Sequence, residues 1–289
     1  MHRRPEPCAP PCGVRHRPEP DYDAARAASY WSGARHEDGD ELASVLSLGE
    51  PHAVNEAYDA WEVGLLLESI EGRSFRRGLD LGTGVGRVAT RLAVRLPRLV
   101  CADLATGMLE RARQNARRAG VRNLDPVRLR SDRLPFRDGA VDLVVCLGLM
   151  EHLPPASRRA TMQECARVLA PGGFLVVALN NSRSRFLRDP SDNPLRDGAQ
   201  QESGYFCAVV EDAAFVLEAA EHFEDRVLGS NLFYSLHRHA ARRLTSSERR
   251  SPKLRPFFLH AAAWDRAVRP VGPLAEAAAD HHLHLLVRR

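Results

Sequence analysis

The sequence predicts an α/β protein built on an open, mainly parallel sheet covered by helices on both faces. Three observations carry that expectation. Between residues 78 and 180, short apolar runs alternate with helix-patterned segments. The apolar runs RGLDLG, RLVCADL, VDLVVCLG and GGFLVVALN read as buried parallel strands. A turn containing Gly82, Gly84 and Gly86 joins the first run directly to a helix, the junction expected in a β-α-β unit.

Taken in order, residues 1–20 are rich in proline and arginine and lack the apolar content of a packed core, so a disordered tail is expected. From Tyr22 to about Gly72 the pattern is helical. In VNEAYDAWEVGLLLESI, Val54, Ala57, Tyr58, Trp61 and Leu65 follow the i, i+3, i+4, i+7 stripe of an amphipathic helix. GRVATRLAVRL, GMLERARQNARRAG and ASRRATMQECARVLA are the helices between the strands. After Asn181 the rhythm breaks into SRSRFLRDPSDNPLRDGAQQESG, and loops of such length are usually functional or disordered. VVEDAAFVLEAAEHF returns to helix, a strand is expected around DRVLGSNLF, and HHLHLLVRR closes the chain as a last strand. The divisions are therefore a tail at 1–20, a helical segment at 21–72 and one domain at 73–289. That domain holds a long loop at 182–204 and an insertion at 235–280.

Composition excludes several functions. The chain has 289 residues, 41 basic against 37 acidic, for a net charge of +4. So small an excess is not the clustered basic face of a nucleic-acid binder. No run approaches the roughly 20 apolar residues that span a bilayer. The N-terminal residues lack the apolar stretch of a signal peptide, so a cytoplasmic protein is expected. Cys8 and Cys12 have no partners at zinc spacing, and Cys101, Cys146 and Cys165 lie in apolar strand or helix patterns as small hydrophobes. His281, His282 and His284 alternate along a strand pattern, so no metal site is expected there.

The most informative stretch is GLDLGTGVGRVATRLA. Glycines at a strand-to-helix turn permit a close ligand approach, and the helix N-terminus presents free amides to an anionic group. Asp103 ends the second strand 23 residues beyond Asp80. An acid near that distance accepts hydrogen bonds from both ribose hydroxyls of a nucleoside. No P-loop lysine follows the glycines, which argues against nucleoside triphosphates. The G-x-G-x-G spacing argues against a nicotinamide dinucleotide.

Here the chain resembles the class I S-adenosylmethionine-dependent methyltransferases, of the small-molecule kind similar to ubiquinone and menaquinone biosynthesis enzymes. LDLGTGVGR matches the first motif of that family and ADLATGMLERAR the second; SDRLPFRDGAVDLVVCLGLMEHL and ARVLAPGGFLVVALN resemble those that follow. The resemblance implies a Rossmann-like doubly wound, mainly parallel seven-stranded sheet. The 21–72 helices would then form an N-terminal lid and 235–280 a C-terminal cap insertion. It implies S-adenosylmethionine as cofactor, held by Asp80, Gly82, Gly84, Gly86, Asp103, Leu104, Met108, Asp132 and Leu147. Asp103 would take the ribose, Met108 would pack near the adenine, and Asp132 would meet the adenine amine.

His152, just after the fourth strand, is the candidate base, since a histidine can remove a hydroxyl or acidic C–H proton near neutral pH. Glu151 beside it is expected to shape the turn. LGLMEHL lacks the Asn/Asp-Pro-Pro-aromatic pattern of base-amine methyltransferases. No Pro-Cys nucleophile is present at Cys146. These absences favour oxygen or carbon methylation of a small-molecule acceptor, with no nucleic acid or membrane partner, and leave room for a homodimer. The alternatives are a macromolecular acceptor such as tRNA or protein, or a non-catalytic S-adenosylmethionine-binding partner subunit. Tyr22, Tyr30, Trp31, Asn55 and Tyr58 are candidate lid residues. Phe257, Phe258, His260 and Trp264 are candidates in the cap.

Overall fold

The structure, a computed structural model, describes residues 22–33, 41–47, 49–188, 199–210 and 212–289. The 1–20 tail with Cys8 and Cys12, and residues 189–198 of the long loop, lie outside the described residues. In chain order the elements are α1 (Ala24–Ser32), α2 (Glu41–Val45), α3 (His52–Ser69), β1 (Gly78–Leu81), α4 (Arg87–Leu92), β2 (Leu99–Asp103) and α5 (Thr106–Arg118). There follow β3 (Leu124–Arg128), β4 (Val141–Cys146), α6 (Pro155–Val168), β5 (Leu169–Asn180), α7 (Arg185–Arg188), α8 (Asp212–Ala219) and β6 (Phe223–Ser230). The chain ends with α9 (Leu232–Ala241), α10 (Ser246–Arg249), α11 (Arg255–Val268), α12 (Pro273–Ala278) and β7 (His281–Arg288).

The seven strands form one sheet in the order β3-β2-β1-β4-β5-β7-β6, with β7 antiparallel to both neighbours. Strand order reverses between β1 and β4. In open α/β sheets ligands bind at the carboxyl ends of the strands beside such a reversal. Successive strand residues point to opposite faces, so each strand feeds two cores. Leu143 and Val145 join Leu99, Cys101 and Val176 under α3, α4 and α11. Val144 and Cys146 join Leu79, Leu81 and Val177 under α6 and α8.

β3, sequence LDPVR, was not separately delineated by the apolar pattern. Its place at the sheet edge accounts for this, because an edge strand needs few apolar residues and tolerates Pro126. The strand expected around 225–233 ends at Ser230. α9 takes over because the carboxylate of Asp265, on α11, accepts from the amides of Phe233 and Tyr234 at 2.8 Å each. Those amides belong to the first turn of a helix, which has no partners of its own.

Two larger expectations change. α3 does not lie over a ligand site: Val54, Ala57, Trp61, Leu65 and Leu66 bury its inner face in the sheet core. The 235–280 insertion is no cap on the cleft described below. α9 and α11 pack beside α3 as a layer on one face of the sheet, with Phe258 fully buried there and Trp264 exposed. Both segments are amphipathic, and an apolar stripe satisfied by a sheet face reads in sequence like one satisfied by a pocket.

That layer is pinned at its end by Asp280. Its fully buried carboxylate meets the Arg238 guanidinium and His239 Nε2, each at 3.1 Å. Burial alone would raise the Asp280 carboxyl, but the His239 hydrogen bond and the Arg238 charge outweigh it and hold it well below the usual range. The stability this supplies is therefore complete above the unfolded value of about 3.9 and is lost as pH falls through the depressed folded value. Asp280→Asn is expected to lower unfolding free energy by about 3 kcal/mol at pH 7, with the deficit shrinking below about pH 4. Urea melts of both proteins across that range check it.

Candidate active site

The glycine turn is folded back onto β2. The amides of Gly82 and Thr83 both donate to the Ala102 carbonyl, at 2.8 and 2.9 Å. Gly82 and Gly84 have φ of +76° and +54°, left-handed backbone that side chains resist. The Thr83 hydroxyl donates to Asp80 Oδ2 at 2.6 Å. Burial nevertheless pushes the Asp80 carboxyl up to about 6, against the pull of Thr83 and Arg87. The Gly84 amide donates to Asp103 Oδ2 and the Ala105 amide to Asp103 Oδ1, both at 2.9 Å. Asp103 therefore ties the turn to the start of α5. Burial raises its carboxyl too, although the amides of Ala105, Gly84 and Leu104 favour the charged form.

These residues floor a cleft of about 1060 Å³, its open mouth included. It brings together Asp80, Gly82, Gly84, Asp103, Leu104, Met108, Asp132, Leu147 and His152. Gly86 is the exception, as it does not line the cleft. It is the N-cap of α4, and a Cβ there would sit 3.1 Å from that of Ala112 on α5, so its role is close helix packing. Asp132 lines the wall, but both its oxygens are taken by Arg130, from Nε at 2.9 Å and Nη2 at 2.6 Å. That hydrogen bond holds its carboxyl below the usual range, leaving it less available to an adenine amine than expected. Arg130, Ser131 and Leu129 share this wall and were missed. The R-x-D spacing at 130–132 was the available signal, obscured by the abundance of arginine.

Of the lid candidates, Tyr22 and Trp31 line the cleft, with Val45 of α2. Asn55 and Tyr58 do not: Asn55 clasps the backbone of Ser47, and the Tyr58 hydroxyl donates to Glu62 at 3.1 Å. Arg87, the first residue of α4, also lines the cleft. Its buried guanidinium donates to Asp59 at 3.0 Å and to Glu62, both on α3. Phe257, Phe258, His260 and Trp264 lie elsewhere. In β7, His284 bonds Asp225 at 3.0 Å and His281 packs on Tyr58. Among the described residues no helix is long and apolar enough to cross a membrane.

His152 closes the short 3₁₀ turn Met150–His152 after β4. Its Nδ1 lies 2.8 Å from the Phe206 carbonyl, which can only accept, so Nδ1 carries a hydrogen. The ring packs edge-on to Trp31 at 5.0 Å and against Tyr205 at 5.6 Å. Burial alone would lower its pKa, but the Cys207 thiol, the nearby Glu151 charge and the Phe206 carbonyl together raise it above 6.5.

A glycine-rich strand-turn-helix, an acid at the end of the second strand and a histidine after the fourth thus meet at one cleft. Residues 79–173 match the family described as the methyltransferase domain. Over that stretch the chain is similar to class I S-adenosylmethionine-dependent methyltransferases. It is 40% identical over 111 residues to the malonyl-[acyl-carrier protein] O-methyltransferase of Geobacter sulfurreducens, covering 38% of this chain and 40% of that protein. It is 32% identical over 139 residues to the ubiquinone biosynthesis O-methyltransferase of Paracidovorax citrulli, covering 47% and 55%. The chain thus spans about half the length of the curated relatives it matches. The solved YcgJ protein of Bacillus subtilis has the same fold, with a TM-score of 0.54 at 17% identity over 79% of this chain and 98% of that one.

The donor set suits S-adenosylmethionine. A two-oxygen carboxylate, a floor without side chains at Gly82 and Gly84, and apolar walls at Leu104, Met108 and Leu147 are what a nucleoside with a short polar tail requires.

Proposed function

We propose that this protein transfers a methyl group from S-adenosylmethionine to an oxygen or acidic carbon of a small-molecule acceptor. The observation that carries this reading is one cleft with the Asp103 carboxylate and glycine turn on one wall and His152 on another. Asp103 would hold the ribose, Gly82 and Gly84 would admit the tail, and Met108 and Leu104 would flank the adenine. Asp132 would act through Arg130, keeping its guanidinium along the wall. The bound cofactor supplies a methyl on a cationic sulfonium, so alignment of the acceptor provides much of the acceleration. With Nδ1–H committed to Phe206, the neutral ring carries its lone pair on Nε2, the atom that would take the acceptor's proton. Trp31 and Tyr22, on and just before α1, exclude water from the same space.

His152 must be neutral to act, and its pKa is raised. The rate is therefore expected to fall with acidification along a limb centred above pH 6.5. His152→Gln is expected to cut kcat about 10²- to 10⁴-fold and to abolish that limb, with cofactor affinity unchanged. The test is calorimetric titration with S-adenosylmethionine and with NAD. A pH-rate profile with radiolabelled methyl donor and a panel of phenols, carboxylic acids and 1,3-dicarbonyls follows. Binding of NAD alone would overturn the cofactor assignment, and an unchanged rate in His152→Gln would overturn the base.

A further inference from the structure

The segment 200–208, after the long loop, and α1 meet as one hydrogen-bonded piece. Gln200 Oε1 accepts from the Asp23 amide at 2.7 Å, while its Nε2 donates to the carbonyls of Asp23 and Gly204 at 3.0 and 2.9 Å. Arg26 Nη2 donates to the carbonyls of Gln201 and Glu202, at 2.9 and 2.7 Å. Gly204, with φ of +95°, lies so close that a Cβ there would be 2.3 Å from the Arg26 carbonyl. Tyr205 then packs on Tyr30 and Trp31, and Phe206 on Tyr22.

The same segment grips the catalytic turn. The Phe206 carbonyl meets His152 Nδ1 at 2.8 Å, and two residues on, the Ala208 amide donates to the Glu151 carbonyl at 2.8 Å. Thus the piece that covers the cleft is also the piece that bonds the histidine ring. An unbonded imidazole prefers its proton on Nε2, which would occupy the lone pair needed there. A carbonyl at Nδ1 reverses that preference.

We propose that α1 and residues 200–208 form a two-part lid whose closure places the His152 proton on Nδ1 and so exposes a basic Nε2. Arg26 and Gln200 are positioning residues that act through Phe206, although neither lines the cleft. Coupling the two events keeps the base unformed until the cleft is covered, so that proton removal happens away from bulk water. The catalytic consequence rests on His152 being the base; the control of its tautomer does not.

The test uses the full chain labelled with ¹⁵N in its histidine rings, at a pH where His152 is neutral. His152→Gln identifies the signals by their loss. Wild type is expected to show a protonated Nδ1 and an unprotonated Nε2. In Arg26→Ala/Gln200→Ala, and in Gly204→Ala, the two signals are expected to shift toward the Nε2–H form. Amides of 24–32 and 201–208 should gain hydrogen exchange together. With an acceptor present, kcat should drop at least about tenfold, as when a catalytic histidine is held in the wrong tautomer. Retention of the Nδ1–H signature in folded variants, or independent exchange of the two segments, would overturn the proposal. If the tautomer shifts but His152→Gln keeps the wild-type rate, the coupling stands and the base assignment falls.

Discussion

Asp103→Ala is expected to weaken S-adenosylmethionine binding between about 10²- and 10⁴-fold. A carboxylate accepting two ribose hydroxyls contributes about 1.5–3 kcal/mol per hydrogen bond, because the acceptor is charged. The substitution also releases the amides of Gly84 and Ala105, so the glycine turn loses its tie to α5. Asp103→Asn separates the two effects. It keeps one acceptor oxygen but turns an amide NH₂ toward an N–H, and a loss of about 10- to 100-fold is expected. Since burial raises the Asp103 carboxyl, cofactor affinity should begin to fall on acidification above the pH where an exposed aspartate protonates. Calorimetry at pH 7 and pH 5 reads both. Affinity within threefold of wild type in Asp103→Ala would mean that the carboxylate holds only the turn.

Arg87→Met is expected to destabilise the protein strongly. The guanidinium is buried between Asp59 and Glu62, the latter fully buried. Burial disfavours its charged form, but the two carboxylates outweigh that and keep it protonated throughout. Removing it leaves α3 with buried acids facing the start of α4. Breaking such a pair costs about 3–5 kcal/mol. The lower end is expected, because burial already pushes the Glu62 carboxyl upward and it can take a proton instead. At about 2–4 °C per kcal/mol for chains somewhat shorter than this one, Tm should fall by roughly 6–12 °C. Arg87→Met/Glu62→Gln should recover part of this, since a neutral amide needs no counter-charge. Thermal melts of the two variants decide it. A single variant within 2 °C of wild type, at most about 1 kcal/mol, would show that water reaches the pair.

How far the site was legible follows from these residues. The positions of Asp80, Gly82, Gly84 and Asp103 at the cleft were readable because they are set locally: a strand end, a turn that needs left-handed backbone, and an acid one β-α-β unit further on. His152 was readable from its position after β4. Gly86 shares the same motif, yet its neighbour is Ala112 rather than the cleft, a distinction made only by how α4 meets α5. Asp132 was found by sequence, but not that Arg130 occupies it. Asn55, Tyr58 and the aromatics of α11 look like pocket residues because core and pocket both require apolar helical faces. The contacts of Arg26, Gln200 and Phe206 carried no signal, as two are made from the surface and one through the backbone.

By itself the sequence determined the sheet-and-helix alternation, the glycine turn, the acid paired with it and the place of the histidine. Each depends on backbone conformations and apolar periodicities set by near neighbours. Only the tertiary structure decided what packs at the cleft and what bonds the His152 ring. Those roles rest on contacts such as Arg26 with Gln201, 175 residues apart, and His152 with Phe206, 54 apart. A hydrogen bond to a carbonyl can be made to any residue, so no side-chain pattern records which one the fold will bring near.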